Sequence, residues 1–423
     1  MNARDYLASL EFHGIKLGLD NIRFLLNAAG DPHRRYPVVH VAGTNGKGSV
    51  VAMLASILQA AGYRVGRFTS PHLLDLEERF VLDGIPIAPD ELDKQLAYFQ
   101  ALAQEMPHPP TYFELCTAVA FRWFEKEAVD VAVVEVGMGG RFDSTNVVEP
   151  VACAITNIDL EHMQYLGTTV EAIAFEKAGI IKPQVPVVVA EQQPAPLRVI
   201  QERADADGSP VLRLGRDFHY RLRGEDPFAH AIDFDGGTWH IAEAPLALAG
   251  RYQGENAATA LALAGVLQST FPRVNEEAAR SGLAGARWPC RMEKVIDAPP
   301  VILDVAHNPA GVRRLAAELK QCVAVLAVSS DKDAAAMIRE LDCVAADLIL
   351  TRYEGRRAAE ISALEVAAAG RPHRCFETLE SAIAAGIAAA SAERPLVITG
   401  SIFTAGQARR ILMDRYGVAP LRF

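Results

Sequence analysis

Val38-Val39-His40-Val41-Ala42-Gly43-Thr44-Asn45-Gly46-Lys47-Gly48-Ser49 governs how the rest of this chain is read. A short apolar run ends in three glycines, a lysine and a hydroxyl, and a helical pattern from Val50 to Ala61 follows at once. Glycines let backbone N–H groups close on phosphate oxygens, and the helix behind them offers its positive amino end. Lys47 would add a point charge and Ser49 a hydroxyl suited to magnesium. The common nucleotide-loop pattern puts Ser or Thr directly after the lysine and a glycine where Val41 stands, so Gly48 is a departure from it. The alternative is a glycine-rich strand-to-helix turn with a solvated lysine, but such a turn does not need three glycines together with Lys and Ser.

Outward from that stretch the same rhythm repeats: an apolar run, a polar cluster, then an amphipathic segment. Val129–Val134, Val151–Ile155, Val185–Ala190, Val301–Leu303, Val323–Val328, Leu348–Leu350 and Leu396–Ile398 are rich in Val, Ile and Leu and do not alternate. That texture fits strands buried on both faces of a parallel sheet, with helices between them, an α/β doubly wound arrangement. Between about Val211 and Leu248 the pattern alternates imperfectly around Gly236-Gly237, which predicts a small antiparallel hairpin system. Arg287-Trp288-Pro289-Cys290-Arg291 then breaks the pattern before a fresh strand–helix series. We expect an ATP-binding domain over residues 1–288 and a smaller Rossmann-like α/β domain over 289–423.

The 423 residues suit two or three domains, and the net charge of -10 argues against a nucleic-acid partner, whose phosphates need a basic face. Local lysines and arginines can still make a positive pocket for small anions. The six cysteines show no metal-finger spacing and read mostly as buried thiols. The amino terminus lacks an apolar leader core, and no uninterrupted apolar stretch is long enough to span a bilayer. A reducing, cytoplasmic setting without a membrane partner is the expectation.

In open parallel sheets ligands gather beyond the carboxyl ends of strands, so the residues closing each run carry the reading. Glu135, before Val136-Gly137-Met138-Gly139-Gly140-Arg141-Phe142-Asp143, is placed as a ligand of a nucleotide's magnesium, or as a helix-capping acid. His162, after Asp159-Leu160-Glu161, is a metal or phosphate ligand or a plain surface histidine. Ser70 and His72 are a third cluster or simple turn residues. Lys177, taken alone, reads as a helix-surface lysine. Asp304 and His307 open the second series and would face the first domain across a cleft, and Ser401 closes the last strand.

In combination, and across nearly the whole chain, these motifs resemble the folate branch of the Mur ligase superfamily, the folylpolyglutamate synthases, often combined with dihydrofolate synthase. The resemblance rests on Gly43–Ser49 with its Gly48, Ser70-Pro71-His72, Glu135-Val136-Gly137 with Gly139-Gly140-Arg141, Glu176-Lys177-Ala178-Gly179-Ile180, and Asp304-Val305-Ala306-His307-Asn308-Pro309. It implies a Mur-ligase-like, P-loop-containing nucleotide-binding domain and an activity that joins a carboxylate to the amine of L-glutamate with ATP. It implies ATP contacts from Gly43, Thr44, Asn45, Gly46, Lys47, Gly48, Ser49, Asn256, Arg291 and Asp304. Two magnesium sites would be held by Ser49, Ser70, Glu135, His162 and a carbamylated Lys177, and the family pattern admits a potassium ion. Lys47, Lys177, Arg291 and His307 would be the catalytic groups, with Asp304, His307 and Ser401 on the incoming glutamate. Phe113 and Asp143 match positions that cradle the pterin in bifunctional members, or are an ordinary core aromatic and a turn residue.

The chain departs from the family at Cys290, where a glycine is usual, and in the Ser329–Asp333 and Arg352–Ala358 stretches. The partners implied are ATP, L-glutamate and dihydropteroate or folates, acting on a monomer. A Mur-type ligase for a cell-wall precursor is a second reading, and a nucleotide-gated ATPase switch a third, which leaves Asp304, His307 and Ser401 without a task.

Overall fold

In the computed structural model, which describes residues 1–10, 18–237 and 239–423, the strand Val38–Ala42 is buried at every position. It lies mid-sheet, pairing in parallel with Val131–Glu135 on one side and Ala152–Ile155 on the other. The eight-stranded sheet runs Ile85–Pro86, Phe80–Leu82, Val65–Phe68, Val131–Glu135, Val38–Ala42, Ala152–Ile155, Val187–Val189, Val211–Arg213. Its central pairings are parallel, as the Val-rich runs predict, but Phe80–Leu82 and Ile85–Pro86 add an antiparallel edge. Gly66 and Arg67 within the neighbouring strand kept that edge out of the sequence pattern.

Helix Lys47–Ala60 covers one face, where it packs with helices Gln253–Leu267 and Glu276–Gly285. Its buried residues include Val50, Met53, Leu54 and Ile57, almost all round, which suits a helix held between a sheet and two other helices. The opposite face is covered by Ala3–Leu10, Asp20–Ala28, Pro89–Ala103 and Tyr112–Lys126. The expected hairpin region divides: Val211–Arg213 joins the large sheet, while His219–Arg223, His230–Asp235 and His240–Leu246 form a separate antiparallel sheet.

A second sheet follows in the order Glu293–Asp297, Pro300–Leu303, Leu396–Thr399, Cys322–Leu326, Ala345–Leu350, Arg374–Cys375. It is parallel except for its first strand. The link into it is conformationally unusual: Cys290 (φ 55°) and Met292 (φ 49°) are both left-handed. Glycine takes that conformation without steric cost, so Cys290 stands where the backbone itself asks for glycine. Among the described residues no helix is long and apolar enough to cross a membrane.

Candidate active site

Directly after Ala42 the chain turns through Gly43 (φ 142°) and Gly46 (φ 91°) into the helix beginning at Lys47. A β-carbon on Gly43 would sit 1.7 Å from Thr156 Oγ1, and one on Gly46 2.3 Å from Asn256 Oδ1, so neither position admits a side chain. The loop is held from the next strand end. Thr44 N donates to Asn157 O at 2.8 Å, Asn45 N to Asn157 Oδ1 at 3.0 Å, and Thr156 Oγ1 to Asn45 O at 2.8 Å. Lys47 Nζ folds back over the loop to Gly43 O (3.0 Å) and Thr44 O (3.1 Å). Ser49 is buried in the first helical turn.

Glu135 ends its strand as a buried carboxylate whose Oε2 accepts from Ser70 N at 3.1 Å. Burial pushes its pKa up, opposed by the charge of Lys47, the Ser70 N–H and the charge of Arg291. An anion held at such a cost next to a phosphate loop suits a divalent cation. Close to it, Arg67 is buried beneath the Trp288 ring, 5.2 Å from its centroid, and burial lowers its pKa to about 10.

Lys177 does not lie on a helix surface. It is 1% exposed, and its Nζ donates to Gly43 O at 2.7 Å and to Glu161 Oε1 at 2.6 Å. Burial lowers its pKa to about 8, with Glu161 pulling it back up and Lys47 pushing it further down. The helix Val170–Ala178 is thereby tied to the phosphate loop. His162, left-handed at φ 46°, is solvent-exposed and lies within the fields of Glu161, Lys332 and Lys47.

The second sheet sends its strand ends to the same place. Asn308 Nδ2 reaches Asn45 Oδ1 at 3.5 Å, which puts the Asp304–Asn308 turn directly over the loop. His307 Nδ1 is 3.0 Å from Val305 O. A carbonyl only accepts, so Nδ1 carries the proton and Nε2 keeps its lone pair. Lys332, Arg291 and Glu161 are the charges around that ring. Asp304 is buried, with Oδ2 accepting from Met292 N and Oδ1 from Ala306 N, each at 2.8 Å, so it also holds the left-handed linker. Arg291 is half-buried and acts on both Glu135 and Asp304. Ser401 is buried and caps helix Ile402–Tyr416, accepting from Phe403 N at 3.2 Å.

Phe113 and Asp143 both crowd Gly137, where a β-carbon would meet Phe113 at 2.5 Å and Asp143 Oδ2 at 3.1 Å. Phe113 stacks on Phe68 with centroids 5.8 Å apart. Asp143 accepts from Met138 N at 2.8 Å and from Thr145, whose hydroxyl also meets His40 Nε2 at 2.8 Å. Asn256 is buried, donates to Gln253 Oε1 at 2.7 Å and abuts Gly46. Sequence reasoning missed Asn157, Glu161, Arg67 and Lys332 as parts of the site. The first two lie in the Thr156–His162 strand end, where an amide, and a carboxylate next to His162, are the signal in the sequence. Arg67 and Lys332 join through tertiary packing. Two cavities, of about 630 and 680 Å³, lie elsewhere, the first beside His33 and Lys182 and the second beside His230 and Glu243.

The Mur ligase middle domain matches residues 41–264, and the Mur ligase glutamate ligase domain matches 290–402. The chain belongs to the Mur ligase family, in the branch of the folylpolyglutamate and dihydrofolate synthases. The dihydrofolate synthase/folylpolyglutamate synthase of Bacillus subtilis is 39% identical over 369 residues, covering 84% of this chain and 86% of that protein. Mycobacterium tuberculosis folylpolyglutamate synthase complexed with ADP superposes with a TM-score of 0.88 at 33% identity, covering 99% of this chain and 100% of that one. A bifunctional folylpolyglutamate synthase/dihydrofolate synthase with Mn, AMPPNP and L-glutamate bound superposes with a TM-score of 0.86 at 30% identity, covering 99% and 98%.

Proposed function

We propose that this chain is an ATP- and magnesium-dependent ligase that adds L-glutamate to dihydropteroate, to reduced folates, or to both. The observation that carries the proposal is the convergence on Gly43–Ser49 of a buried carboxylate at a strand end of the large sheet and a buried lysine from helix Val170–Ala178 with Arg291 from the linker and His307 from beyond it. The names of the relatives supply the acceptor and the amino acid.

A carboxylate is a poor acylating agent. Transfer of the γ-phosphoryl group to it gives an acyl phosphate, whose leaving group is inorganic phosphate. The amine of glutamate then attacks, and fixed positive charge stabilises the oxyanion that forms. In this reading Lys47 and the loop N–H groups hold the triphosphate, with Asn256 at the base. Arg291 reaches the transferring phosphoryl from within the linker. His307 Nε2, bare because Nδ1–H is committed to Val305 O, accepts a hydrogen bond from the incoming glutamate's nitrogen, and burial holds its pKa down to about 4, so the ring stays neutral beside the phosphates.

Ser49, Ser70, Glu135 and His162 would hold magnesium, which when bound neutralises charge on the phosphates. CO2 adds only to a neutral amine, and with a pKa of about 8 about a quarter of Lys177 is neutral at pH 7.5. A carbamate there would serve the second metal once Glu161 turns away, and a potassium ion completes the cofactor set. Asp304, through its remaining lone pairs, and Ser401 take the glutamate, while Phe113 and Asp143 take the pterin. Residues 1–288 form the nucleotide domain and 289–423 the glutamate domain of a cytoplasmic monomer.

The test is phosphate release with ATP, magnesium and L-glutamate, adding dihydropteroate or tetrahydrofolate separately, with mass spectrometry of the products. One glutamate gained by each acceptor establishes two activities, and gain by one alone fixes a single activity. Phosphate release that needs neither glutamate nor a pterin acceptor refutes the ligase reading.

A further inference from the structure

A separate constellation lies at the outer edge of the smaller sheet. Helix Ile361–Ala367 and the edge strand Arg374–Cys375 bring Glu365, His373 and Cys375 together, with one donor atom from each within 4.8 Å of the other two. Cys375 Sγ lies 3.5 Å from Glu365 Oε1. Two ligands on a tetrahedral zinc-class ion, at their usual bond lengths, stand about 3.3–3.8 Å apart, so this pair already has that spacing. His373 and Cys375 are alternate residues on an extended segment and project to the same side. Arg374, between them, directs its guanidinium to Asp347, with Nε 3.3 Å from Oδ1.

His373 is pre-oriented. Its Nδ1 is 2.8 Å from the carbonyl oxygen of Arg371, so Nδ1 carries the proton and Nε2 presents a lone pair. Metal-binding histidines are commonly fixed in this way, by a backbone carbonyl on the other ring nitrogen. Glu365 and Cys375 are exposed, which leaves an ion a way in.

We propose that Glu365, His373 and Cys375 form a binding site for a borderline-soft divalent cation of the zinc class, with a fourth position open to water. Magnesium prefers all-oxygen ligands, so a sulfur–nitrogen–oxygen set is chemically distinct from the carboxylate and hydroxyl groups around Glu135. On binding, the Cys375 S–H bond gives up its proton to solvent and a metal–thiolate bond forms, with no change of oxidation state. The ion would pin a strand whose ladder covers just Arg374 and Cys375 to the helix beside it.

The test adds cobalt(II) to the reduced full-length protein in saturating magnesium. A sulfur-to-cobalt charge-transfer band in the near ultraviolet, saturating at one equivalent and bleached by zinc, is the expected result. Cys375→Ser should abolish the band, Glu365→Gln and His373→Ala should weaken it, and Cys343→Ser, at the other exposed thiol, should leave it intact. Zinc should raise the melting temperature of the unchanged protein and leave that of Cys375→Ser where it was. Absence of the band, its survival in Cys375→Ser, or its loss in Cys343→Ser overturns the proposal.

Discussion

Lys177 gives the sharpest quantitative prediction, because its pKa of about 8 lies inside the working range of an enzyme. An unburied lysine holds its proton to about 10.5. The neutral fraction in the folded protein is then about a tenth at pH 7 and about half at pH 8. If activity needs CO2 to add to that amine, its recovery after CO2 has been stripped should quicken roughly fivefold between those pH values. The assay is phosphate release by enzyme dialysed free of CO2 and restarted at a fixed concentration of dissolved CO2, with the lag read at each pH. Glu161→Gln removes the carboxylate that raises the lysine pKa, so its profile should shift to lower pH. The same depression has a stability consequence. Burying the ammonium disfavours the folded state by about 3 kcal/mol below pH 8, and that penalty fades as pH rises toward 10.5. A lag that ignores pH, or full activity without CO2, refutes the reasoning.

Lys47→Ala removes a charge from the transferring phosphoryl group and should slow turnover about 100-fold or more, and near-normal phosphate release would count against the loop's assignment. His307→Ala should lower kcat far more than it weakens ATP binding, as isothermal titration beside steady-state kinetics would register. Gly43→Ala forces a β-carbon into Thr156 Oγ1 at a φ of 142°, so nucleotide binding should be lost while the circular dichroism spectrum is kept. Cys290→Gly should destabilise by about 1–2 kcal/mol, since relief of left-handed strain offsets only part of the lost burial of the thiol side chain and the greater freedom of the unfolded chain. Cys290→Val, with a branched side chain in the same conformation, should cost about 2 kcal/mol, read from urea midpoints.

The central strands were legible because Val, Ile and Leu runs without alternation leave little else for Val38–Ala42 or Cys322–Leu326 to be. The edge was hidden by composition, since Val65-Gly66-Arg67-Phe68 offers two residues that a strand interior rarely favours. Arg67 is tolerated there because the charge of Glu135 and the ring face of Trp288, far along the chain, offset part of the cost of its burial. In the site, Lys47, Glu135 and Lys177 gather around one loop, and their residue types at strand ends and helix starts had marked the first two. Lys177 was ambiguous from its own helix, since its burial depends on Gly43 and Glu161 reaching it from other elements. The departure at Cys290 was visible as an odd residue, but its reason, a left-handed backbone, is a property of three-dimensional shape.

The 3.5 Å contact between Asn308 and Asn45 carries one more consequence. The loop ends at Ser49 and its supports Thr156, Asn157, Lys177 and Asn256 all precede the linker, whereas Arg291, His307 and Lys332 come from the last third of the chain. A ribosome therefore finishes the loop long before the residues that meet it from the second sheet. The order of the two sheets along the sequence thus separates in synthesis the loop from the residues that close over it.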